Sequence, residues 1–167
     1  VDDLPEAFTI PVALTTICDD EIDPLTQDGK FAFDTSAFQS TILNGQTGMN
    51  VYYFDGNGNT LPSPLPNPFI TTTQNVKVIV ENKTNTTCVA TMIIPFVVNK
   101  LPNIRLNLDG SEDNLVCSNN PTFFVQLDSG IDDGSLSSDY NYIWSKDGLV
   151  IVGETAYTLD VNAEGLY

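Results

Sequence analysis

Asn75-Val-Lys-Val-Ile-Val-Glu81 is the stretch that decides the fold. Val76, Val78 and Val80 share one face of an extended chain, and Lys77, Ile79 and Glu81 share the other, the alternation of a strand with one side half-exposed. Outward from it, short apolar runs recur between Gly, Pro, Asn and Asp clusters, which is the pattern of an all-β chain. Strands are predicted at Lys30 to Phe33, Val51 to Phe54, Cys88 to Val98, Thr122 to Leu127, Tyr140 to Ser145, Leu149 to Val152 and Tyr157 to Val161. Asp55-Gly-Asn-Gly-Asn59 and Lys146-Asp-Gly148 supply residues that tolerate positive φ and read as hairpin turns. One short helix is predicted: Asp34-Thr-Ser36 offers N-cap oxygens, Phe38 and Ile42 stand four apart, and Asn44-Gly45 gives a left-handed stop. Leu61-Pro-Ser-Pro-Leu-Pro-Asn-Pro68, with four prolines in eight residues, reads as a stiff crossing loop or a protected edge.

Composition removes several functions. The 167 residues carry 6 basic and 22 acidic side chains, a net charge of −16, and 41% hydrophobic residues, enough to build a core. Histidine is absent, which excludes Ser-His-Asp and Cys-His catalysis and His-ligated zinc or iron. With Arg105 the single arginine, no basic surface exists to follow a phosphate backbone, so nucleic acid is not an expected partner. The longest apolar run, Met92 to Val98, contains Pro95 and falls far short of the roughly 20 residues of a membrane-spanning helix. No basic start leads into an apolar segment, so an export signal is expected to have been removed or to lie elsewhere.

Internal repetition organises the chain. Leu4-Pro5 precedes Cys18 by 14 residues and Leu101-Pro102 precedes Cys117 by 16, so the Leu-Pro pair recurs at a spacing of 97 and the cysteine at 99. That period is the size of an immunoglobulin-type sandwich, which predicts tandem Ig-like β-sandwich modules over residues 1–103 and 104–167. Cys18 and Cys88, 70 residues apart, are expected to staple the first module to itself. The same spacing puts a partner for Cys117 near residue 187, so Cys117 is expected to be unpaired by truncation; the alternative is a buried free thiol. Disulfides place the protein outside the cytoplasm. Tyr142-Ile-Trp144 reads as a core strand with a buried indole. Asp160 to Tyr167 resembles the tyrosine corner of Ig-like domains, so the second module is expected to be incomplete at its C-terminal end.

Cys18-Asp-Asp20, Asp28-Gly29, Phe33-Asp34, Ile42-Leu-Asn-Gly-Gln-Thr-Gly48, Val51-Tyr-Tyr-Phe-Asp55, Leu61 to Pro68 and Val78-Ile-Val-Glu-Asn82 together resemble the repeats of very large Bacteroidota surface proteins. Those include gliding-motility adhesins of the SprB type, exported by the type IX system. The likeness covers about residues 4–103, while residues 104–167 resemble generic Ig-like or PKD-like modules. The resemblance implies a string of β-sandwiches on the outer cell surface with a role in adhesion or display.

Candidate sites follow the acidity. Asp19, Asp20, Glu21, Asp23, Asp28 and Asp34 set six carboxylates against Lys30 within sixteen residues, either a solvated loop or a calcium site with Asp19, Asp20, Asp23 and Asp28 as ligands. Asp55 to Asn59 alternates oxygens as a calcium loop does but lacks the closing glutamate, so a hairpin is the preferred reading. Asp128, Asp132 and Asp133, with Asp139, sit in a Gly/Ser-rich loop and are weaker candidates. Tyr52 and Tyr53 offer rings to both faces of one strand and form a candidate glycan platform. Paired carboxylates can run glycoside hydrolysis, but most Asp here fall in turns, and no enzyme activity is expected. Asn82-Lys-Thr84 and Asn85-Thr-Thr87 are glycosylation sequons without expected meaning in a bacterium. The reading is therefore a pair of non-catalytic stalk or display modules of an extracellular adhesin, whose partners are neighbouring modules of the same polypeptide and a surface polysaccharide. The rival is a carbohydrate-binding module of a secreted enzyme.

Overall fold

The structure, a computed structural model, describes residues 4–21, 23–105, 115, 116, 120 and 122–167. The chain divides into two compact units, Val1–Leu101 and Pro102–Tyr167.

In the first unit the alternating stretch sits at the centre of a five-stranded sheet. β6 (Gln74–Asn82) pairs antiparallel with β3 (Met49–Phe54) on one side and with β7 (Val89–Asn99) on the other, with Val78 opposite both Tyr53 and Met92. β4 (Thr60–Leu61) extends the β3 edge through the Asp55 turn. β1 (Thr16–Cys18) joins the other edge, parallel to the last residues of β7. A second, two-stranded sheet pairs β2 (Lys30–Phe33) with β5 (Phe69–Thr72). Val76, Val78, Val80, Tyr53, Ile94 and Phe96 are almost wholly buried on the inner face of the large sheet.

The small sheet and the one α-helix close over that face. Phe96 meets Phe33 of β2 at 4.8 Å and Phe69 of β5 at 5.3 Å between ring centroids, both edge-on, and stacks on Phe38 of α1 (Phe38–Leu43) at 6.1 Å. Four aromatic side chains from four elements thus make one core, and the unit is an all-β sandwich with the helix at its side. Asn44 ends α1 in the left-handed conformation at φ 44°, as its position predicts. The start differs from expectation. The N-cap position is Ala37, while the Asp34 carboxylate accepts from the Ser36 N–H in the preceding turn. The proline run carries the chain from one sheet to the other; Leu65 is buried within it, and Thr35 is held by Asn67 Oδ1 and the Pro66 carbonyl.

In the second unit β8 (Val125–Asp128) pairs antiparallel with β11 (Thr158–Val161), and β9 (Ser145–Lys146) forms a hairpin with β10 (Leu149–Val150). Asp147 at φ 51° and Gly148 at φ 81° make the turn. The strand expected over Tyr140 to Ser145 is reduced to its last residue, and Trp144 is half-buried rather than a core indole, with Nε1 donating to the Ala156 carbonyl at 2.8 Å. The tyrosines ahead of it serve loops instead of a ladder: Tyr140 donates to Asp133, and Tyr142 to the Ser137 carbonyl. Its order of strand, hairpin and returning strand repeats that of β2, the β3–β4 hairpin and β5. Among the described residues no helix is long and apolar enough to cross a membrane.

Candidate functional site

The candidate site lies at the two ends of β7. Cys18, the last residue of β1, stands beside Asn99, the last residue of β7, and the next residue, Asp19, donates its N–H to the Asn99 carbonyl at 2.8 Å. Cys88 immediately precedes Val89, the first residue of the same strand, and its carbonyl accepts from the Asn82 N–H at 3.1 Å. Ten residue steps of about 3.3 Å separate the two ends, roughly 33 Å. A disulfide needs Cα atoms within about 7 Å. The staple expected within the first unit is therefore corrected: Cys18 and Cys88 carry free thiols at opposite poles, Cys18 exposed and Cys88 half-buried. Cys117 lies outside the described residues.

The path of the chain gives the poles a direction. Near its start, Glu6 exchanges two hydrogen bonds with the Gln46 side chain, and Phe8 donates to the Ile42 carbonyl. Gln46 lies two residues before Gly48, whose carbonyl holds Lys83 in the β6–β7 loop that leads to Cys88. The segment then runs parallel to β7, through the Val97 N–H on the Thr15 carbonyl, and reaches Cys18 at the far end. There the chain leaves through Asn99 to Leu101. The Gln27 side chain grips Leu101 by accepting from its N–H at 2.6 Å and donating to its carbonyl at 3.0 Å. Cys88 thus marks the incoming pole and Cys18 the outgoing one.

Local turn chemistry fixes each cysteine. At the outgoing pole Asp19 is 4% exposed and binds the loop to itself, one oxygen accepting from Gly29 N–H at 2.7 Å and the other from Glu21 N–H at 3.4 Å. Gly29 adopts φ 71°, a conformation that favours glycine. At the incoming pole the two sequons are turn devices. Asn82 Oδ1 accepts from the Thr84 N–H and hydroxyl, and Asn85 Oδ1 from those of Thr87, so the Asn-x-Thr spacing builds the loop that presents Cys88.

The acidic candidates fall into different local roles. Asp19, Asp20 and Glu21 have carboxylate oxygens within 4.8 Å of one another, the one such group among the described residues. Asp23 and Asp28 are not part of it. Asp23 caps the turn that follows by accepting from Leu25 N–H, and Asp28 pairs with Lys30 at 2.6 Å, whose hydrogen bond holds its carboxyl below the usual range. Asp55 spends both oxygens on Asn57 and Asn59, as a hairpin requires. In the second unit Asp133 accepts from the Tyr140 hydroxyl at 2.6 Å and from Ser135 N–H, with a carboxyl held well below its usual range chiefly by Tyr140. Asp128 closes a turn onto Gly130 N–H, and the Asp132 N–H donates to the Asn103 carbonyl, so Asp128, Asp132 and Asp133 do not form a shared ligand set. The glycan platform is also corrected. Tyr53 is wholly buried in the core, and Tyr52 alone faces outward, its hydroxyl donating to Glu81 at 3.2 Å, because consecutive residues of a strand point to opposite faces.

Residues 14–102, more than half of the chain and the span that holds both poles, match the family described as the Flavobacterium inter-domain disulphide bond domain. The chain belongs to this family. The match supports a flavobacterial origin and fits a multidomain protein in which neighbouring domains lie on one polypeptide. No curated protein and no solved structure matches the chain. In this member of an inter-domain disulphide bond domain family, Cys18 and Cys88 stand too far apart to bond to each other. Sequence spacing alone missed this, since 70 residues between cysteines says nothing of the length of the strand that ends up between them.

Proposed function

We propose that the chain is a non-catalytic spacer of a multi-module protein on the outer surface of a flavobacterial cell, joined to its neighbours by disulfides through Cys18 and Cys88. The observation that carries this reading is the placement of the two thiols at opposite ends of one eleven-residue strand. A series of sandwiches bonded pole to pole resists extension and holds a distal surface away from the cell, which is the work of an adhesin stalk or display module. The finer reading, an adhesin of the SprB type exported by the type IX system and used in attachment or gliding, rests on the resemblance of residues 4–103. The Tyr167 hydroxyl, bonded to the Ala163 carbonyl four residues upstream, supports an Ig-like second unit. Surface labelling of intact cells with a membrane-impermeant reagent tests the location. Labelling of this polypeptide, and its loss in a strain lacking the export system, are expected; a protein reached only after lysis contradicts the reading.

The calcium element of the proposal is narrowed to Asp19, Asp20 and Glu21, whose mutual repulsion a cation relieves. Melting with calcium and with chelator checks it. A rise in Tm with calcium supports an ion at this corner, and equal melting temperatures remove it.

A further inference from the structure

Resting on that reading, we propose that the two bonds have a fixed direction: Cys18 bonds to the incoming-pole cysteine of the module that follows, and Cys88 to the outgoing-pole cysteine of the module that precedes. Each link is then between unlike positions, a Cys18-type residue with a Cys88-type residue, and Cys117 is not the partner of Cys18. The first ground is the chain path. Cys18 sits beside Asn99, two residues before Leu101, where the unit ends, and so lies at the end by which the chain leaves the unit. Cys88 sits in the loop anchored to Gly48, two residues after the Gln46 that holds Glu6, and so lies at the end by which the chain enters the unit.

The second ground is the repeated order of elements. In the first unit Cys18 precedes β2, the hairpin β3–β4 and the β5 strand that returns to β2. In amino-acid order Cys117 likewise precedes β8, the hairpin β9–β10 and the β11 strand that returns to β8. Cys117 is by this order the Cys18-type residue of its unit, and its own bond points onward in the chain. The Cys88-type residue that answers Cys18 falls one cysteine repeat of 99 after Cys88, at about position 187.

Forming each link removes one proton from each of two thiols and two electrons in total. The electrons pass to a disulfide oxidant of the cell envelope, which leaves as a dithiol after exchange through a mixed disulfide. No other atom is gained or lost.

The test is disulfide mapping of the natural, secreted polypeptide. Free thiols are alkylated, the protein is digested without reduction, and linked peptides are sequenced by mass spectrometry before and after reduction. The proposal expects the Cys18 peptide linked to a cysteine C-terminal to Cys117, and the Cys88 peptide linked to one N-terminal to residue 4. In a Cys18→Ser variant the downstream partner then becomes one newly alkylated thiol, with loss of that single link. A Cys18–Cys117 link, or both cysteines linked to the same side, overturns the direction while leaving inter-domain bonding in place. Both cysteines alkylated in the secreted protein overturns the direction and the underlying reading together.

Discussion

Tyr53 takes a polar atom into an apolar core: the residue is wholly buried and its hydroxyl has no hydrogen-bond partner. Its neighbours explain why, since Val51 and Tyr53 alternate into the sandwich against Val78 and Val80 of β6. An unsatisfied buried hydroxyl costs about 1–3 kcal/mol, so Tyr53→Phe, which keeps the ring, is expected to stabilise the first unit. A gain of about 1 kcal/mol in a unit of this size raises Tm by roughly 4–8 °C, which calorimetry reads directly. Burial also pushes the phenol up from 10.0 to about 12. Between those values the unfolded chain has lost the proton that the folded chain keeps, so stability falls as pH rises through that window. Denaturant titrations at neutral and alkaline pH should show that loss in the natural chain, and less of it in Tyr53→Phe.

Among elements, β7 joins the most parts: it pairs with β6 along eight residues, takes β1 at its outgoing end, and sends Phe96 into the rings of Phe33, Phe38 and Phe69. Phe96→Ala removes the side chain on which both sheets and α1 close, and is expected to cost about 3–5 kcal/mol, measured by urea unfolding. An exposed residue of the same strand, such as Thr91, should tolerate alanine within about 0.5 kcal/mol. Alternating valines made β6 legible in the amino-acid order, and the Phe38, Ile42 and Asn44 spacing made α1 legible. β1 and β5 were not, for a physical reason. Thr16-Ile-Cys18 is too short to carry a period, and Phe69 to Thr72 emerges directly from the proline run, with only Thr73 before β6. The converse error at Trp144 arose because aromatic residues that favour strands were claimed by loop hydrogen bonds.

For the whole molecule, the amino-acid order shows the acidic loops and the cysteines but not their geometry. Carboxylates that read as ligands are mostly turn residues holding N–H groups, as Asp23, Asp55 and Asp128 do. Two cysteines that read as a staple stand at opposite poles, because pairing depends on where strand ends fall in space and not on separation along the chain. The distance between those poles decides whether the two thiols can serve only partners outside the unit. Spin labels on Cys18 and Cys88, with Cys117→Ser to keep the labelling to two sites, report it by double electron–electron resonance in the 167-residue chain. The expected result is a single distribution centred at about 33 Å or somewhat beyond, allowing for the label arms. A distribution confined below about 15 Å, or a pair of cysteines already bonded to each other and closed to labelling, would contradict it.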